Sequence, residues 1–130
     1  MMQNSFHNNV SLLPISQKLK ETYLVWYEFS NKIPKTHKYS LGQKIDNLFV
    51  KAIETTTTAG FLQPQEKLPW IRLAIRKTDT LKIFLMILWE TKSIDDKKYI
   101  LLSEKLNEIG KMLGGWHNQI QNLKQNSPRK

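Results

Sequence analysis

The sequence has no cysteine among its 130 residues. Disulfide bonds, cysteine-based zinc sites, iron–sulfur clusters and thiol nucleophiles are therefore excluded, and the composition is compatible with the cytoplasm. The longest apolar run, Ile83 to Trp89, is far shorter than the ~20 residues that a membrane span requires. The N-terminal residues are polar and lack the basic start and apolar stretch of a signal peptide. We therefore expect a cytoplasmic protein that is not bound to a membrane.

Glycine and proline are also scarce, with five of each, which leaves little room for the many turns of an all-β fold. Hydrophobic residues make up 40% of the chain, so it has enough apolar surface to fold. A length of 130 residues predicts one domain with a buried core. Apolar residues recur three or four positions apart, which predicts four helices. We expect these helices to begin near Pro14 or Ser16, at Ser40, between Pro64 and Pro69, and at Ser93.

Local sequence predicts where the helices end. Pro34 should end the first helix near Lys32, since the residue before a proline avoids the helical conformation. The β-branched run Thr55 to Thr58 should fray the second helix before Gly60. Ser93 should cap the fourth helix. Short connections then predict an all-α fold, an up-down-up-down antiparallel four-helix bundle over residues 14–125, with flexible tails at 1–13 and 126–130.

Signatures of catalysis and of metal or cofactor binding are missing from the sequence. The three histidines, His7, His37 and His117, are dispersed, and no acidic residue has a histidine three positions later, as di-metal bundles require. Nucleophile-elbow, P-loop and dinucleotide fingerprints do not occur. We expect no metal, no cofactor and no enzymatic activity. Asp79 is either part of a helix-surface ion pair or a contact to another subunit or partner.

The net charge is +9, with an isoelectric point near 9.8. Residues 1–59, 60–92 and 93–130 each carry an excess of three basic side chains. An excess spread over the folded domain favours a broad surface for a polyanion, although lysine-rich solubilisation is an alternative. Such a surface contacts phosphates with little sequence discrimination, and no aromatic residues are interleaved for base stacking. The candidate nucleic-acid-binding residues are Lys35, His37, Lys38, Lys44, Arg72, Arg76, Lys77, Lys82 and Lys111.

The second half of the third helix is apolar on nearly every side, which predicts two buried surfaces. Either this helix is covered by its neighbours within one subunit, or it forms a homo-oligomer interface. The candidate interface residues are Ile83, Phe84, Met86, Ile87 and Trp89.

Three glycines interrupt the fourth helix without disturbing its apolar repeat. Because an interior glycine costs roughly 1 kcal/mol relative to alanine, we expect a compensating close approach by a neighbouring helix. The alternative is that Gly114 or Gly115 ends a helix and Trp116 begins a new segment. The candidate helix-packing residues are Gly110, Gly114, Gly115 and Trp116.

Three stretches resemble the Avd family, the accessory variability determinants of diversity-generating retroelements. They are Ile33-Pro34-Lys35 leading through Tyr39-Ser40-Leu41-Gly42, the segment Thr78 to Lys82, and above all Ile109-Gly110-Lys111-Met112-Leu113-Gly114-Gly115-Trp116. The resemblance spans roughly residues 15–123. It implies a basic homopentameric barrel, without catalytic activity, that binds the retroelement's reverse transcriptase and its template RNA or cDNA. The chain departs from that picture in having only three arginines, Arg72, Arg76 and Arg129, for bidentate phosphate recognition.

The sequence is compatible with two other functions. The Avd family lies within a wider group of four-helix bundles that includes proteins encoded in 23S rRNA intervening sequences, and an RNA-binding or scaffold protein of that kind is the first alternative. The second is a purely structural, self-assembling scaffold whose lysines confer solubility.

Overall fold

The computed structural model describes residues 12–126, which form five helices and no strand. The all-α prediction and the four long helices are confirmed. The predicted tails lie mostly outside the described residues, which begin at Leu12 and end at Asn126. None of the helices in this range is long and apolar enough to cross a membrane. The helices are α1 (Pro14–Ser30), α2 (Lys35–Lys38), α3 (Leu41–Gly60), α4 (Pro64–Glu90) and α5 (Asp96–Asn126).

Helix α1 runs antiparallel to α3. Near the start of α1, the Ser16 hydroxyl donates to Thr56 Oγ1 (3.2 Å), close to the end of α3. Further along α1, the Tyr23 hydroxyl donates to Asp46 Oδ1 (2.8 Å), close to the start of α3. Residue numbers increase along α1 while those of the contacting residues of α3 decrease, so the two helices are antiparallel.

The other pairs of neighbouring long helices are antiparallel as well. Lys67 Nζ, early in α4, donates to the carbonyl oxygen of Ala59 at the end of α3 (2.6 Å). Helix α5 packs against both α4 and α1, and an ion pair joins Lys18 of α1 to Glu108 of α5 (3.1 Å). The long helices therefore pack in chain order around a ring, which is an up-down-up-down bundle.

The bundle core consists of apolar stripes that the sequence predicted. The apolar repeat of the fourth predicted helix runs from Tyr99 to Leu123. Its members are buried or half-buried as far as Ile120, whereas Leu123 is 51% exposed. A second, smaller cluster lies where α3 ends and α4 begins, formed by Ala59, Leu68, Ile71 and Ile120. The fully buried large side chains are Trp26, Phe49, Leu19, Ile45, Ile71, Leu81, Leu85, Leu88, Leu102, Leu106, Ile109 and Leu113.

The threonine run does not fray α3, which continues to Gly60, so that prediction was wrong. Thr55 and Thr56 are buried, and their hydroxyls donate to the carbonyl oxygens of Lys51 (2.9 Å) and Ile53 (3.0 Å) of the same helix. Hydrogen bonding within the helix lets these threonines enter the core, which outweighs their low helix propensity.

The predicted start of the second long helix at Ser40 is confirmed, since Ser40 is the N-cap residue of α3, whereas the expected cap at Ser93 was wrong. The Ser40 hydroxyl makes no capping hydrogen bond and donates back to the carbonyl oxygen of Thr36 (3.2 Å), because residues 35–38 form a helical turn. At α5, the cap is Asp95, whose Oδ1 accepts from the Lys98 amide (2.9 Å). Ser93 instead helps to end α4, as its amide donates to the carbonyl oxygen of Leu88 (2.8 Å) in a Schellman motif.

Candidate nucleic-acid interface

A groove between α4 and α5 gathers four of the predicted basic residues. Two adjoining depressions of about 400 and 310 Å³ form it, and Ile75 lines both. We call this surface the basic groove. Its charged or titratable lining residues are Arg72, Arg76, Asp79, Lys82, Lys111 and His117.

Helical spacing places the α4 side chains along one edge of the groove. Arg72, Arg76 and Asp79 are separated by four and three residues, so they share a face, and all three are exposed. Lys82 is ten residues from Arg72, which corresponds to about 15 Å along the helix axis. The edge is therefore long enough to contact several successive phosphates of one strand.

His117 also lines this groove, although nothing in the sequence predicted that position. The Arg72 Nε donates to His117 Nε2 (3.2 Å), so the acceptor nitrogen carries no proton and a neutral ring has its proton on Nδ1. This bond holds the guanidinium beside α5. In the described part of the chain, the terminal nitrogens of Arg72 make no hydrogen bond and remain free to bind phosphate.

The carboxylate in the groove, Asp79, lies 4.0 Å from Lys82 Nζ, with both side chains partly exposed. Exposed pairs at this spacing contribute about 0.3–0.5 kcal/mol, because water screens them. The geometry fits the surface ion pair that the sequence offered as one reading of Asp79. So weak a bond leaves Lys82 able to exchange its partner for a phosphate.

The floor of the groove includes two glycines, Gly110 and Gly114. Within the subunit, the predicted close approach of a neighbouring helix is not found at Gly114 or Gly115, where a Cβ would meet nothing within 4 Å. A Cβ at Gly110 would meet only the flexible end of Lys82, at 3.2 Å. Helix α5 runs unbroken through all three glycines, so the alternative of a helix end was wrong. Gly110 and Gly114 therefore add no side chain to the floor of the groove.

Trp116 fulfils its predicted role in part. It is half-buried and packs against the small cluster near Ile71, with Lys67 Nζ 5.9 Å from the ring centroid.

Gly114→Ala tests the open environment of this glycine. We expect the free energy of unfolding to rise by about 0.5–1 kcal/mol, because alanine favours the helix and its methyl group meets no atom. Urea denaturation followed by circular dichroism measures the change. A loss of stability would show that Gly114 packs closely against another subunit.

The remaining predicted basic residues lie elsewhere. Lys44 and Lys77 line a depression of about 370 Å³ between α3 and α4. Lys51, which was not among the predicted residues, lines it too. Lys35, His37 and Lys38 all lie in α2, and His37 Nδ1 is 2.6 Å from Ser93 Oγ, which ties α2 to the turn between α4 and α5. The nine predicted residues thus form three groups rather than one surface.

The predicted oligomer-interface residues differ from one another in exposure and in contacts. Ile83, Met86 and Trp89 are exposed, whereas Phe84 and Ile87 are half-buried. Phe84 lines the depression between α3 and α4. Trp89 is engaged within the chain: its ring stacks on Tyr99 with centroids 4.7 Å apart, and its Nε1 donates to Asp96 Oδ1 (2.7 Å).

Ile83, Met86 and Ile87 follow the spacing of a single helix face, and this face continues the edge that carries Arg76 and Asp79. The outer face of α4 is therefore basic in its first half and apolar in its second half. We call the three residues Ile83, Met86 and Ile87 the apolar patch.

A sequence model of one protein family, described as bAvd-like, matches residues 13–120. The chain belongs to the bAvd-like family. The predicted Avd resemblance is thereby confirmed, and the match includes the whole basic groove and the apolar patch of this bAvd-like chain. No curated protein and no solved structure gives a significant match.

Proposed function

We propose that this bAvd-like chain is a non-catalytic accessory subunit of a diversity-generating retroelement, acting in the cytoplasm. In this role it binds the element's reverse transcriptase and holds template RNA or cDNA during mutagenic reverse transcription. Family membership supports the accessory role. The basic groove is the observation that carries the nucleic-acid part of the proposal.

The groove suits a phosphate backbone better than a small molecule. It is open along its length, its cations come from both helices, and Asp79 is the one acidic side chain in its lining. Gly114 borders open space, and only the flexible end of Lys82 lies against Gly110, so a nucleic-acid strand has room between the two rows of side chains. Contacts of this type give affinity without sequence readout.

We further propose that the chain assembles into a homopentamer through the apolar patch. Ile83 is 52% exposed although it lies in the most apolar stretch of the sequence. Five copies would carry a formal charge of five times +9, or +45. Because bound phosphates release counterions, such an assembly would bind RNA with a steep dependence on salt.

Co-purification tests the accessory role. We expect the tagged, full-length chain to retain the reverse transcriptase of the proposed retroelement, and to retain RNA at low but not at high salt. A chain that binds neither would contradict the proposal. RNA binding without any reverse transcriptase would instead favour a protein of the intervening-sequence type. Assembly without binding of RNA or enzyme would favour a scaffold.

A further inference from the structure

A second concave site lies between α1, α2 and α3. Its lining residues, 23–46, precede those of the basic groove in the chain. It is a pocket of about 270 Å³ that brings together three tyrosines from separate elements, Tyr23 and Tyr27 of α1 and Tyr39 from the turn after α2. Tyr27 and Tyr39 are 54% and 72% exposed, so both residues are accessible to a ligand. We call this site the tyrosine pocket.

A close approach of the backbone builds this pocket. Gly42, in the first turn of α3, is buried, and a Cβ there would lie 3.3 Å from the carbonyl oxygen of His37. Glycine therefore allows α2 to pack tightly onto α3 and brings Tyr39 near α1. Lys38 Nζ lies 5.9 Å from the centroid of the Tyr39 ring, so a cation borders the exposed aromatic face.

The polar groups of the pocket include both an acceptor and an unpaired donor. The Tyr23 hydroxyl donates to Asp46 Oδ1 (2.8 Å), and the other carboxylate oxygen accepts nothing from the described residues. Burial, and next the bond to Asp46, raise the pKa of Tyr23 above its ordinary value of 10.0, which keeps the hydroxyl a donor. Trp26 also lines the pocket, and its buried Nε1–H has no partner among the described residues.

Aromatic faces, a bordering lysine and an acidic acceptor match the chemistry of a nucleotide. Bases stack on tyrosine whatever their identity, and a lysine beside the ring can contact the phosphate. Asp46 would accept from the exocyclic amino group of adenine, cytosine or guanine. Uracil has no amino group, and its one ring N–H donor lies between two carbonyl oxygens that a carboxylate repels. We propose that the tyrosine pocket holds one unpaired base carrying an amino group, an inference that rests on the proposed nucleic-acid binding. A base within a duplex is paired and stacked, so it cannot enter.

The test compares single-stranded and duplex RNA of the same sequence, binding to the full chain at one low salt concentration. We expect Tyr27→Ala with Tyr39→Ala to weaken single-strand binding by about 5- to 100-fold, as loss of stacking does, and to leave duplex binding unchanged. Tyr27→Phe with Tyr39→Phe is the matched control, because it keeps both rings and should retain single-strand affinity. Asp46→Asn should reduce the preference for oligo(A) over oligo(U).

Several results would overturn the inference. Equal losses for single strand and duplex, or no loss for either, would exclude base stacking here while leaving the proposed function intact. Loss of reverse-transcriptase capture with unchanged RNA affinity would assign the pocket to a protein segment. If the unaltered chain bound no RNA at low salt, both this inference and the RNA-binding part of the proposed function would be wrong.

Discussion

We expect the double variant Arg72→Glu, Arg76→Glu to bind RNA roughly a hundredfold more weakly than the unaltered chain at low salt. A hydrogen bond to a charged group contributes about 1.5–3 kcal/mol, and about 1.4 kcal/mol corresponds to a tenfold change in affinity. Two lost phosphate contacts therefore suffice for this effect, and the new carboxylates add repulsion. Fluorescence anisotropy with labelled RNA measures it.

The salt dependence gives an independent readout of the same variant. Loss of two phosphate contacts should reduce the slope of log affinity against log salt by about 1.4 for a single strand. Lys20→Glu with Lys97→Glu is the control, because it makes the same change in net charge on exposed side chains outside the basic groove. Equal losses in both variants would mean that overall charge, and not the groove, determines binding.

Ile83→Glu should convert the assembled protein to a monomer of 15.3 kDa. An unpaired carboxylate buried in an apolar contact costs several kcal/mol, which weakens each subunit contact by more than about a hundredfold. The side chain is exposed within the subunit, so the fold itself should persist. Native mass spectrometry and sedimentation measure the mass.

Leu24→Glu provides a close control for this variant. Leu24 is 53% exposed, against 52% for Ile83, but it lies on α1 and outside the apolar patch. We expect it to leave the assembly intact. A monomeric unaltered protein, or equal dissociation of both variants, would contradict the proposed role of the patch.

The sequence predicted the long helices because the spacing of apolar residues along the chain matches the side chains that are buried. Leu102, Leu106 and Ile109 recur at helical spacing, and all three are fully buried. The errors arose where tertiary contacts decide. Thr56 donates within its own helix, but its buried hydroxyl oxygen also accepts from Ser16, forty residues away, and no local propensity records that partner.

The candidate site was only partly predictable for the same reason. Periodicity identifies the face on which Arg72 or Lys111 lies, but not which helix stands opposite. His117 lies in the groove because α5 packs against α4, where it accepts from Arg72, and the pocket around Tyr23 and Tyr39 requires the packing of three elements. The role of the glycines was not decided by the sequence, because an interior glycine has two explanations, close packing or an open surface, and the sequence does not distinguish them.

Photocrosslinking of template RNA to the assembled protein, with the crosslinked peptides identified by mass spectrometry, tests the central claim most directly. The proposed function predicts crosslinks on both walls of the basic groove, in residues 72–82 of α4 and 107–118 of α5. Crosslinks confined to other surfaces, with these two segments unmodified, would contradict it.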